Sequence, residues 1–358
     1  MTAVPAPRPA EGSAVRAPSA PRVLVPVLGA VAFVIAATLI GLAVGPVHIG
    51  LGAIARSAAS HIPFLHIHSN LSSEDSAILW QLRAPRVVLG LLVGGMLALA
   101  GGSYQGVFRN PLVDPYLLGV AAGAGLGATL AIAYGGVTAG ASELLPVAAF
   151  LGAAFGVACA YTLGSAGGGR SPATLVLAGV TVVSFLTAIQ TFVQQQHSQN
   201  LQQVYSWILG NLDTAGWHDV GLVAPYVLVS SAVILLHRRV LDVLSVGDEE
   251  AATLGINVKR VRLTVVVFAT IGTAAAVATS GLIGFVGIIV PHAIRLMLGS
   301  SYRLVLPLSL LAGGGFLVLC DVLARTVVSP AELPIGVITA FFGAPFFAIV
   351  LRTSRSFN

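Results

Sequence analysis

Two short stretches concentrate the side chains that could do chemistry in a chain where only 9% of residues are charged. The first, HIPFLHIH, sets His61, His66 and His68 close together, a residue type that ligates metals or haem. No cysteine lies nearby and the nearest carboxylate is Glu74, so the cluster is weak as a metal site and no metal is assigned to it. The second, GDEEAATLGINVKRVR at 247–262, places Asp248, Glu249 and Glu250 ahead of Lys259, Arg260 and Arg262. Acids in a first helical turn, a helix-favouring middle and Gly255 at a stopping position predict a short helix, a turn and a basic stem. On residues alone, a solvated loop obeying the positive-inside pattern accounts for the same charges equally well.

Several chemistries find no residues to support them. Lys259 is the sole lysine and no G-x-x-x-x-G-K-[ST] occurs, so a standard nucleotide-binding loop cannot form and any ATPase must be a separate chain. Neither G-x-S-x-G nor H-E-x-x-H is present, which argues against an intramembrane hydrolase. Ion-driven carriers place ionisable groups within spans. Asp321 is the clear candidate, and a helix-terminal Asp reads first as a partner for Arg325 one turn later. Cys159 and Cys320 both fall in apolar runs and read as small buried residues.

The elements that would carry these residues are membrane spans. With 56% hydrophobic residues and a mean hydropathy of +0.93, the 358-residue chain has more apolar surface than one soluble core can bury, so it reads as an all-α polytopic membrane protein. Apolar runs give ten candidate spans, at about 23–45, 87–108, 117–134, 144–165, 173–195, 220–240, 263–281, 283–298, 304–323 and 335–352. The runs are continuous rather than alternating, which selects helices over a barrel. Residues 1–22, rich in Pro, Ala and Arg, read as a disordered cytoplasmic tail; 23–352 form the transmembrane domain, and 353–358 a second cytoplasmic tail.

An even span count puts both termini on one side, and basic residues mark the cytoplasm. With the termini inside, only Arg56, Arg83, Arg86 and Arg325 of the 18 basic residues fall outside, and 241–262 becomes a cytoplasmic loop. The 41 glycines lie largely within spans, as expected for closely approaching membrane helices. NPLVDP at 110–115 and ELPIG at 332–336 set prolines and acids beside apolar ends and suggest broken or re-entrant helices.

Six stretches carry a resemblance: QLRAPRVVLGLLVGGMLALAGGSYQGVFRNPLVDPYLLGVAAGAGLG, LVLAGV, VYSWILGNL, GDEEAATLGINVKRVR, GLIGFVGIIVPHAIRLM and AELPIGVITAFFGAPFF. In that order, across 81–347, the chain resembles the FecCD/BtuC-like permeases of ABC importers for iron-siderophores, haem and cobalamin. The resemblance implies the type II importer fold, with ten transmembrane helices per subunit and an inverted relation between the second to fifth and the last spans. It also implies a pairing with a second copy or a paralogue, two ATPase subunits that bind ATP and Mg, and an extracytoplasmic substrate-binding protein. The location implied is the bacterial inner membrane, in contact with the lipid bilayer and with no nucleic-acid partner.

The resemblance also assigns residues. Asp248, Glu249, Glu250, Gly255, Lys259 and Arg260 become the ATPase-coupling surface, with Gly255 at a tight turn between two short helices and Arg262 near the ATPase or lipid head groups. Arg83, Arg86 and Arg325 become docking residues for the binding protein. Asn110 and Leu112 match an inner gate, whose partner position reads Ser171-Pro172-Ala173 in place of the family's Ser/Thr pair. Gln194, Gln195 and His197 fall in the polar stretch that would face ligand. The cargo expected is a metal chelate, iron-siderophore first, cobalamin and haem next. An ion-coupled carrier or channel is the alternative class.

Overall fold

The computed structural model describes residues 20–62, 68–135, 144–166 and 172–354. Residues 1–19 of the N-terminal tail, His66, Ser171 and residues 355–358 therefore lie outside the described residues.

The described residues fold into helices without strands. In chain order these are α1 (Ala20–Ala43), α2 (Leu51–Ser60), α3 (Ser73–Ala77), α4 (Ala84–Phe108), α5 (Val120–Tyr134), α6 (Leu144–Ala166) and α7 (Pro172–Gln196). They continue as α8 (Leu201–Ile208), α9 (Trp217–Leu236), α10 (Arg238–Leu244), α11 (Asp248–Thr253), α12 (Val258–Ser280), α13 (Val286–Leu298), α14 (Tyr302–Thr326) and α15 (Ile335–Ser354).

Seven helical runs are long and apolar enough to cross a membrane by length and composition, and three shorter apolar helices accompany them: Val120–Tyr134, Val286–Leu298 and Ile335–Val350. At about 1.5 Å rise per residue, the 15 residues of α5 reach only about 22 Å, short of a full hydrocarbon core. Length alone therefore does not establish the ten spans that hydropathy suggests.

The second span also begins earlier than expected. Helical backbone starts at Ser73, where the Ser72 hydroxyl caps it by accepting the Asp75 N–H at 3.0 Å, and runs through a π-turn at Ile78–Arg83 into α4. The charges of Arg83 and Arg86 look like the edge of an apolar run in the sequence, whereas the fold buries both.

Helix α4 is the hub. It lies against α14, α12, α13 and α9, and its Val93, Met96, Leu97 and Leu99 are fully enclosed along with Val265 and Ala269 of α12 and Leu306 and Leu317 of α14. Glycine makes this closeness possible: a Cβ on Gly94 would overlap the Gly313 carbonyl, and one on Gly123 would overlap the Gly152 carbonyl between α5 and α6. Helix α7 joins α5 and α6 in a second group, and α1 flanks α14. Outward-facing Leu24, Leu28 and Ile35 on α1, Leu177 and Phe185 on α7, and Phe341 and Ile349 on α15 give the bundle the apolar perimeter a bilayer requires.

Candidate functional site

The bundle has two chemically different ends. Helix α4 runs from one to the other, with Arg83 and Arg86 at its start and Arg109 just past its close.

At the arginine end, the three expected docking residues lie inside the protein. Arg83, Arg86 and Arg325 are 5%, 9% and 3% exposed. Arg83 Nη1 donates to the carbonyls of Leu42 (2.9 Å) and Ala43 (3.1 Å), and Nη2 donates to the Val47 carbonyl, which fastens the segment that follows α1. Arg86 is the best-satisfied side chain in this cluster. Its Nε and Nη2 grip Asp321 at 2.9 and 2.7 Å, while Nη1 and Nη2 reach Glu332 at 3.1 and 2.8 Å. Arg325 Nη2 donates to the Gly41 carbonyl at 2.6 Å, and its Nε lies 3.5 Å from Asp321. A planar guanidinium suits this task, because two edges can each hold a carboxylate.

Asp321, 1% exposed, thus serves Arg86 chiefly and Arg325 secondarily. The expected surface display of the three arginines is corrected: a charge at a helix end can be enclosed when a distant helix supplies the counter-charge, and α14 does so. Glu332, with a side chain 35% exposed, is where this network meets the surface.

Among His61, Trp80 and Trp217 at this end none is buried, and His61 and Trp217 are exposed. His61 Nδ1 lies 2.8 Å from the Ser57 carbonyl and its ring stands 4.8 Å from that of Trp80. Trp80 Nε1 donates to the Ser57 hydroxyl, and Trp217 Nε1 donates to the Trp80 carbonyl at 2.7 Å. His68 is exposed, and no group of three or more His, Cys, Asp or Glu that could hold a metal occurs among the described residues. At the end of α7, Gln194 is half-buried and Gln195 exposed, while His197 lies edge-on to Tyr134 with centroids 4.6 Å apart.

At the opposite end, the charged loop is an ordered unit built on α10 and α11. Glu249 and Glu250 are exposed, as are Lys259 and Arg260, and two large apolar side chains, Val246 and Leu254, stand 71% and 70% exposed beside them. An exposed apolar pair among exposed charges is what a protein-docking surface offers. Gly255 takes φ +80°, and its N–H meets the Ala252 carbonyl at 2.9 Å. The tight turn thus falls between α11 and the long α12, and not between the two short helices. Asn257 caps α12 by accepting the Arg260 N–H at 3.0 Å. Asp248 differs from its two neighbours: it is half-buried and lies 3.0 Å from Arg262 and 3.3 Å from Arg109.

Arg109 is where the sequence reading missed something. It takes a left-handed conformation, φ 50°, to end α4, and immediately precedes Asn110 and Leu112. Both of those side chains are exposed at this end of the bundle, and the Leu112 N–H donates to Asn110 Oδ1 at 3.0 Å. The connection 109–119 is a run of turns rather than a re-entrant helix. The one local signal in the sequence was a basic residue directly before NPL.

A helical membrane bundle with an ordered, outward-facing charged loop and few charges within its spans is the architecture of a transporter's membrane subunit. The FecCD transport family model matches residues 32–353, and the chain belongs to that family, whose members are transporter permease subunits. The chain is 42% identical to the cobalamin import system permease protein BtuC of Halobacterium salinarum, over 77% of this chain and 73% of that one. It is 37% identical to the hemin transport system permease protein HmuU of Yersinia pestis, over 80% of this chain and 87% of that one. A solved structure of a metal-chelate type ABC transporter in an inward-facing conformation superposes with a TM-score of 0.78 at 28% identity, covering 91% of this chain and 98% of the other. Family membership overturns the alternative of an ion-coupled carrier or channel.

Proposed function

We propose that the chain is the membrane subunit of an ATP-driven importer that moves a metal chelate from a binding protein into the cytoplasm by alternating access. Two copies, or this chain and a paralogue, enclose the pathway, and all ten apolar helices span the membrane, the three shorter ones with help from their neighbours. Both termini and the 241–262 loop face the cytoplasm. A separate ATPase, binding ATP and Mg, docks on that loop through Glu249, Glu250, Lys259, Arg260 and the exposed Leu254. Asn110, Leu112 and Ser171 serve as the cytoplasmic gate.

The observation that carries this reading is the family match across 32–353 together with a charged loop held as an ordered, exposed surface. At the outer end, docking of the binding protein falls to Glu332, the carboxylate through which the enclosed Arg86 network reaches the surface. The names of the relatives span cobalamin, hemin and ferric citrate, which supports the chelate class and leaves iron-siderophore, cobalamin and haem as the ligands to try.

Reconstitution of the chain with its ATPase in proteoliposomes, with binding protein outside, tests the proposal. Uptake of one of these chelates that requires ATP supports it. Uptake by the chain without any ATPase contradicts it.

A further inference from the structure

The gate segment Arg109–Val113 is tethered at both ends, and each tether leads back to the charged loop. At its start, the Arg109 guanidinium lies 3.3 Å from Asp248 of α11, whose other oxygen holds Arg262 of α12 at 3.0 Å. At its finish, the Val113 carbonyl accepts from Gln105 Nε2 at 3.2 Å, and the same amide nitrogen reaches the Gly287 carbonyl at 3.2 Å. Gln105 Oε1 accepts from Arg295 Nη2. The Arg295 guanidinium stands 5.8 Å from the centre of the Tyr302 ring, and Asp242 of α10 accepts the Tyr302 N–H at 2.5 Å and the Ser301 hydroxyl at 2.9 Å. Asp242 also lies 3.3 Å from Arg303. Between the tethers the Asn110 N–H donates to the Gln105 carbonyl at the end of α4 at 3.2 Å, and the segment adds its own turn bonds, Leu112 N–H to Asn110 Oδ1 and Val113 N–H to the Asn110 carbonyl.

We propose that these two tethers are a coupling device: displacement of α10 and α11 passes to Asn110 and Leu112 through Asp248–Arg109 and through Asp242–Tyr302–Arg295–Gln105. Asp248 and Arg109 are positioning residues that act on the gate without touching ligand. The inference rests on the gate and docking assignments made above and gives Asp248 a role different from that of Glu249 and Glu250. Its physical basis is reach and strength. Separating a charge pair costs energy, so a shift of α11 draws Arg109 with it.

The test is thiol labelling of Leu112→Cys in a Cys159→Ala, Cys320→Ala background, in the complex with its ATPase. Labelling rates are compared without nucleotide and with ATP, Mg and vanadate. Arg109→Gln, which leaves the Asp248–Arg262 pair in place, should reduce the nucleotide-dependent change in rate by about fivefold or more, the scale of a typical coupling energy. Asp248→Asn should do the same, Asp248→Glu should retain most of the change, and the double variant should be no worse than either single one. ATPase co-purification and ATP hydrolysis should persist in each, a readout that a general structural defect would move. Full nucleotide-dependent labelling in both Arg109→Gln and Asp248→Asn overturns the proposal. If the Leu112→Cys parent itself labels independently of nucleotide, the gate assignment fails first and this inference falls with it.

Discussion

The two ends of the bundle use the same residue types to opposite effect. At one end, Arg83, Arg86 and Arg325 are enclosed and spend their donors on carbonyls and carboxylates of their own chain. At the other, Glu249, Glu250, Lys259 and Arg260 stand in the open, and half-buried Asp248 is shared between the buried Arg262 and a half-exposed arginine beside the gate. Charge saturated from within fixes helices to one another. Charge left unsaturated is available to a partner, and charge shared between two segments ties one to the other.

The sharpest way to break the comparison is to remove the counter-charge at the enclosed end. Asp321→Ala leaves Arg86 and Arg325 buried with the loss of their shared partner, and breaking such a pair costs about 3–5 kcal/mol. The expected outcome in detergent is a large fall in melting temperature or no monodisperse protein at all. A variant as stable as the parent would show that the network is not what holds α4 to α14 at this end.

A milder change sharpens the same point. Glu332→Gln removes only the partly exposed partner and leaves Arg86 on Asp321, so stability should fall by less than about 1 kcal/mol. Affinity for the binding protein, measured on the reconstituted permease, should change instead. A large loss of stability with docking unaltered would assign Glu332 to bracing alone.

The sequence disclosed some of this and hid the rest for a definable reason. Apolar run lengths located the helices, glycines in LVGGMLALAGG and GVAAGAGLGA foretold backbone-to-backbone approach, and first-turn acids with Gly255 outlined the charged loop. These are local signals with a period or a spacing. The pairing of Arg86 with Asp321 joins residues 235 apart, and nothing in a linear pattern announces such a partner. Spacing favoured Arg325, four residues from Asp321, yet the fold gives that carboxylate mainly to Arg86. Arg109 was invisible for a related reason: its left-handed conformation and its contact with Asp248 both arise only when α4 ends beside the loop.

Acids that serve a partner and acids that serve the fold respond differently to charge reversal, and one measurement on the exposed acids of α11 separates the two. Glu249→Lys together with Glu250→Lys changes only exposed side chains, so the melting temperature of the isolated permease should stay where it is. Retention of the ATPase on the affinity-purified variant should drop by about tenfold or more, because like charge would now face like across the interface. Undiminished ATPase retention by a fully folded double variant would contradict the assignment of this loop as the docking surface.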